Sequence, residues 1–195
     1  KFKENVIDDE MAFTQCAAGQ LVKGGRPEVV FSPGDMDGRA RWYEWTGNEW
    51  KMHVLREVIH GHTCEIRDID GDGNLDILIG EMGNPGAGDN AKIYIWYGDG
   101  KGNFKEKVAS HGQGIHEGKL ADLDGDGDLD ILLKPYNHKT PRMDILLNGG
   151  WNLADKTGNE LNGEQIIDMD LNRWTEPRKN PDREGSKNKF RTALK

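Results

Sequence analysis

Apolar residues fall in short runs that mostly alternate with polar ones, and glycine, asparagine and aspartate punctuate the gaps. A period of two marks strands with one buried face, and the gap residues mark tight turns. On that pattern strands are predicted over 14–19, 27–32, 39–45 and 49–56. A second group covers 63–67, 75–80, 92–97 and 103–110, and a third covers 118–121, 129–134 and 142–147, with 151–154 completing it.

The groups are copies of one unit. Phe2-Lys3-Glu4-Asn5-Val6-Ile7 matches Trp50-Lys51-Met52-His53-Val54-Leu55, 48 residues on, and Phe104-Lys105-Glu106-Lys107-Val108-Ala109, a further 54 on. Trp151-Asn152-Leu153 opens a weaker fourth copy. Residues 2–7 are therefore expected to form an outer strand ahead of the first complete unit. Four-stranded units of roughly 50 residues are the blades of a β-propeller. The predicted fold is all-β, with about three four-stranded blades that form part of a larger propeller.

Between the first two strands of the second and third units lies the same acidic nonapeptide. It reads Asp68-Ile69-Asp70-Gly71-Asp72-Gly73-Asn74-Leu75-Asp76, then Asp122-Leu123-Asp124-Gly125-Asp126-Gly127-Asp128-Leu129-Asp130. Carboxylates stand at positions 1, 3, 5 and 9, and like charges this close repel unless a cation lies among them. Hard oxygen donors on a flexible loop suit Ca²⁺ better than Mg²⁺. Positions 1, 3, 5 and 7 match the first half of an EF-hand loop, position 7 through its carbonyl. The EF-hand's twelfth-position glutamate is replaced by Ile79 and Leu133, so the aspartate at position 9 would complete the set. The alternative is a pair of polar hairpin turns, for which Asp-Gly is a common signal. In the first unit Gln20, Val22, Gly24 and Glu28 take the places of the four aspartates. That loop is expected to hold without calcium.

Residues 1 to about 154, through these motifs, resemble the FG-GAP/VCBS repeat family. The resemblance implies β-propeller blades with Ca²⁺ loops between their two inner strands, and ligands meeting the opposite face or the central channel. It implies two Ca²⁺ sites, one from Asp68, Asp70, Asp72, Asn74 and Asp76 and one from Asp122, Asp124, Asp126, Asp128 and Asp130. Residues about 160–195 resemble part of the 3-keto-disaccharide hydrolase family, a concanavalin-like jelly roll. The domain expectation is blades over 1–154 and an incomplete C-terminal segment over 155–195.

Composition sharpens this. Net charge is −8, and the eight loop aspartates at positions 1, 3, 5 and 9 account for as much negative charge. Lys and Arg form no stripe, so no nucleic-acid partner is expected. No run of about 18 apolar residues could span a membrane. No signal-peptide pattern precedes the first strand-like run, so the start reads as trimmed. Weak Ca²⁺ sites suit a secreted or periplasmic protein.

Other candidates lie outside the loops. His62 and His116 each precede a loop by six residues, and with Glu117 and His60 nearby they could bind a metal or a sugar acid. The alternative is a turn-stabilising histidine copied with the repeat. Cys16 and Cys64 share a repeat position and are expected to be buried free thiols rather than a disulfide. Trp42, Tyr43, Tyr94 and Tyr97 are expected between blades, with Trp45 or Trp96 exposed as a sugar platform. Asp35-Met36-Asp37-Gly38 reads as a turn. Apolar residues such as Val29, Val30, Phe31 and Trp42 in the first unit, and Ile131, Leu132, Ile145 and Leu146 in the third, are expected on open end faces. Those faces would need further blades, a neighbouring domain or another copy.

These features point to a calcium-binding β-propeller module for carbohydrate or protein binding in a secreted, carbohydrate-associated protein. Alternatives are a fragment of a polysaccharide lyase or 3-keto-glycoside hydrolase, and a purely structural scaffold. No nucleophile, phosphate-loop or zinc-protease motif is present, so no catalytic residue is assigned.

Overall fold

Period-two alternation yields three antiparallel sheets, each running in chain order from first strand to last. The computed structural model describes residues 1–10, 14–135 and 143–149, all within a unit spanning Lys1–Gly150. The first sheet holds β1 (Gln15–Gly19), β2 (Glu28–Ser32), β3 (Gly38–Trp45) and β4 (Trp50–Val58). The second holds β5 (Gly61–Arg67), β6 (Asp76–Glu81), β7 (Lys92–Gly98) and β8 (Phe104–His111). Among the described residues the third holds β9 (Glu117–Ala121), β10 (Asp130–Lys134) and β11 (Asp144–Leu146). Each boundary lies within two residues of its sequence prediction; residues 151–154 fall outside the described part.

Burial follows stacking. The first strands of successive sheets, β1, β5 and β9, lie side by side. The middle sheet is covered on both faces, so every residue of β6 is buried. Ile77 and Ile79 of β6 face the first sheet, in a cluster with Leu21, Val30, Trp42, Tyr94 and Trp96. Leu78 faces the third, with Ile93, Ile95, Ile115, Ile131 and Leu133. In the outer sheets one face is buried and the other half-buried, as in the strict alternation of β2. This asymmetry is what stacked repeats give when each contacts only its neighbours.

Three expectations are corrected. Residues 2–7 form no strand; residues 2–6 are solvent-exposed and Ile7 half-buried, with Phe2 and Val6 among the most exposed large apolar residues. A strand needs a sheet edge for its backbone hydrogen bonds, and no described edge pairs with this segment. Next, Val30, Trp42 and Ile131 are not on an open face, because they pack against the middle sheet. Lastly, Trp96 is buried rather than exposed. It lies two residues from Tyr94, so both point toward the first sheet, and their rings sit 5.5 Å apart.

The chain before β1 touches the first sheet's outer face through charge. The Asp8 carboxylate accepts from Arg41 at 2.7 Å and from the Tyr43 hydroxyl. Burial pushes the Asp8 carboxyl up, but these bonds and one from the Glu10 amide outweigh it and hold it below its usual range.

Candidate functional site

The two acidic loops join β5 to β6 and β9 to β10, and they share one hydrogen-bond plan. The first aspartate accepts from the sixth-position glycine, Gly73 to Asp68 at 3.0 Å and Gly127 to Asp122 at 3.1 Å. The third accepts from the fifth-position amide, Asp72 to Asp70 and Asp126 to Asp124, both at 3.3 Å. The fifth accepts from the seventh, Asn74 to Asp72 at 2.7 Å and Asp128 to Asp126 at 3.0 Å. Gly71, Gly73, Gly125 and Gly127 all have positive φ, which turns these amides inward at little steric cost.

The ninth aspartate is built in differently. Asp76 and Asp130 are wholly buried. Each accepts from the second loop residue, Ile69 or Leu123, at 2.7 Å. Each also accepts from a later strand end, Gly98 at 2.9 Å or Asn148 at 2.8 Å. This carboxylate thus ties the loop to its own sheet. Burial pushes the Asp76 carboxyl up to about 6.

The carboxylates of Asp68, Asp70 and Asp76 converge, with one oxygen from each within 4.8 Å of the others, and Asp122, Asp124 and Asp130 do the same. Asp72 and Asp126 are not brought into these clusters. Asp72 instead accepts from both the main-chain and side-chain nitrogens of Asn74. Burial first, and then neighbouring carboxylates, raise the pKa of Asp70 and of Asp124. Among the described residues, Asp68 Oδ1 and Asn74 Oδ1 are buried acceptors without a donor. Crowded, partly orphaned oxygen acceptors are the donor set that a hard cation fits.

The first unit supplies an internal comparison. Glu28 stands in the ninth position, is buried, and accepts from the Val22 amide at 2.9 Å. Gln20 stands in the first position. Its side-chain nitrogen donates to the main-chain oxygens of Val22 at 2.6 Å, Gly24 at 2.9 Å and Arg26 at 3.4 Å. These are loop positions 3, 5 and 7. An amide N–H₂ is the electropositive centre of this loop.

At the opposite ends of β5 and β9 lie the histidines. The His62 and His116 rings stack at 4.0 Å, 19° from parallel. His62 Nδ1 donates to the main-chain oxygen of His116 at 2.9 Å, and Thr63 Oγ1 donates to the same oxygen at 3.1 Å. A ring nitrogen of each histidine and a carboxylate oxygen of Glu117 all lie within 4.8 Å of one another. Burial first, and then the neighbouring His62, lower the His116 pKa. Sequence reading missed the acids of the turn before β3. Asp35 lies 3.4 Å from His62 Nε2, and Asp37 lies 3.7 Å from His60 Nε2. Only the packing of the first sheet on the second brings them there.

The remaining candidates are placed as follows. Cys16 and Cys64 are unbridged. Cys16 is exposed, against expectation, because alternate residues of β1 face outward; burial, and secondarily Cys16, raises the Cys64 thiol pKa. Trp45 is half-buried, edge-on to Trp50, with the Arg26 guanidinium 4.4 Å over its ring.

A family model described as an FG-GAP-like repeat matches residues 68–133. The match starts on the first aspartate of one acidic loop and ends within β10, so it takes in both loops and all of β6, β7 and β8. No curated protein matches the chain. The three sheets are consistent with the propeller-like fold of FG-GAP repeats. The match gives no support to the 3-keto-disaccharide hydrolase resemblance at 160–195, which lies outside the described residues. No helix among the described residues is long and apolar enough to cross a membrane.

Proposed function

We propose that this chain is a calcium-braced β-propeller module that binds a protein or carbohydrate in a secreted or periplasmic, carbohydrate-associated protein. Residues 1–154 supply blades and 155–195 follow as a separate segment. The reading rests on one contrast. In the first loop, which lacks the aspartates at positions 1, 3 and 5, three carbonyl oxygens converge on the Gln20 amide nitrogen. In the acidic loop of the second sheet, Asp68 Oδ1 is buried with no donor. The same loop design therefore calls for a positive centre that the chain supplies once and a cation supplies twice.

Asp68, Asp70 and Asp76 would hold one Ca²⁺, and Asp122, Asp124 and Asp130 the other, helped by Asp72, Asp126 and the carbonyls of Asn74 and Asp128. The ion would neutralise the crowded carboxylates and fasten each loop to β6 or β10. Six to eight oxygens from carboxylates, carbonyls and water favour Ca²⁺ over the smaller Mg²⁺. The ligand surface is assigned to the histidine end of β5 and β9, away from these loops. Neither tryptophan offers a free platform for sugar stacking, since Trp96 is buried and Arg26 lies over Trp45.

Calorimetric titration of the chelator-treated chain with Ca²⁺ tests the reading. A stoichiometry near two is expected, falling to one in Asp70→Asn or Asp124→Asn and to none in the double variant. A folded wild-type chain that takes up no Ca²⁺, or a double variant that still does, refutes it.

A further inference from the structure

We propose that Asp35, His62, His116 and Glu117 bind one transition-metal dication of the zinc class, a site chemically distinct from the acidic loops and independent of them.

The argument starts from the His62 tautomer. A carbonyl oxygen can only accept, so the 2.9 Å contact to His116 O puts a proton on His62 Nδ1. In the neutral ring Nε2 is then a lone pair. Nε2 lies 3.4 Å from Asp35 Oδ1, so an imidazole nitrogen and a carboxylate oxygen stand side by side as two potential donors to one ion. Two donors bound at about 2.0–2.1 Å to one tetrahedral ion stand about 3.4 Å apart. The Nδ1–H to main-chain oxygen bond is also the outer contact that orients metal-binding histidines.

His116 and Glu117 complete the set. Their ligand atoms and one from His62 lie within 4.8 Å of each other, and His116 Nδ1 is 3.7 Å from Glu117 Oε1. The remaining contraction falls on Glu117, whose side chain is 70% exposed and can swing inward. One ion cannot lie in the planes of two stacked rings. Loading therefore requires one ring to turn relative to the other.

Two imidazoles with two carboxylates form a four-donor set of mixed nitrogen and oxygen. Nitrogen donors select zinc-like ions over Ca²⁺, and two carboxylates balance a dication. The donors come from the turn after β2, from β5, and from the start of β9. An ion there would join all three sheets at the ends of their inner strands remote from the acidic loops.

The test is Co²⁺ titration of the untagged full chain in excess Ca²⁺, followed by displacement with Zn²⁺. Strong visible d–d absorption of a tetrahedral site is expected, saturating at one equivalent and abolished by Zn²⁺. His62→Ala and His116→Ala should each remove it, and Asp35→Asn should weaken Co²⁺ binding by at least the ~10–100-fold seen on losing a mere outer partner. If a histidine variant fails to fold, Asp35→Asn and Glu117→Gln, both at exposed side chains, decide the matter. Absence of the bands in folded wild type overturns the proposal. So do bands that survive His116→Ala, or that Asp35→Asn and Glu117→Gln both leave unchanged. Loss of Ca²⁺ binding in the loop variants would leave these bands in place, so the two readings fail separately.

Discussion

The side-chain nitrogen of Gln20 donates to the main-chain oxygen of Val22 at 2.6 Å. This bond and its two companions close the first inner loop with atoms of the chain alone. Gln20→Ala should destabilise the protein by about 1 kcal/mol, since two of the three bonds are solvent-exposed and water replaces part of them. The loss should be the same in Ca²⁺ and in chelator. Urea melts in both buffers check this, and a Ca²⁺-dependent difference would count against it.

Chelation should loosen the second and third sheets more than the first. A ligand that binds only the native state adds RT ln(1 + [L]/Kd), about 2.7 kcal/mol per site at a hundredfold excess over Kd. Without the ion, Asp70 and Asp124 stay crowded by their neighbours. Hydrogen exchange with and without chelator reads the effect residue by residue. Equal protection loss in β1–β4 and β5–β10 would contradict the expectation.

Truncating either face of β6 should cost the same order of stability. Ile77 and Leu78 are both fully buried but face different neighbours. Ile77→Ala and Leu78→Ala should each lose about 2–5 kcal/mol by denaturant unfolding. A near-neutral result for one would show its face uncovered in solution.

The Asp8 clamp should respond to acid in a defined direction. Its folded pKa lies below the ordinary 3.8. Its contribution is therefore full above that value and is lost as pH falls through the folded value. Asp8→Asn should cost about 1.5–3 kcal/mol near neutrality, the scale of hydrogen bonds to charged groups. The difference from wild type should shrink below pH ~3.8. Stability measured against pH for both proteins checks it; a gap that persists in acid would be inconsistent with the clamp.

Much of the fold was legible because strand alternation is local. The run Ile77-Leu78-Ile79 announces a strand buried on both faces, and Gly71 and Gly73 announce the turn before it. Pairing is not local. Phe2–Ile7 carries the same alternation as β4 and β8, yet it forms no strand because its partner edge is not specified by its own residues. Trp96 looked like an outward ring until the first sheet was laid on β7. The acidic clusters were readable from spacing, but not the separation of Asp72 and Asp126 from them, which depends on where Asn74 and Asp128 place their amides. Nor was the approach of Asp35 to His62 readable, since they stand 27 positions apart in sequence and meet only through a sheet-to-sheet contact.

A loop closed by Gln20 has a kinetic consequence. Its partners are already tethered within six residues, so closure is unimolecular and its rate does not depend on any solute. A loop closed by an ion, as proposed for the other two, would wait for an encounter, and its rate would scale with ion concentration. The first sheet can therefore order on chain-diffusion time whatever the surroundings. It offers Val30 and Trp42 as a template on which β6 and β7 settle. On the calcium proposal, the described sheets would assemble in one direction, starting from the one that needs no ion.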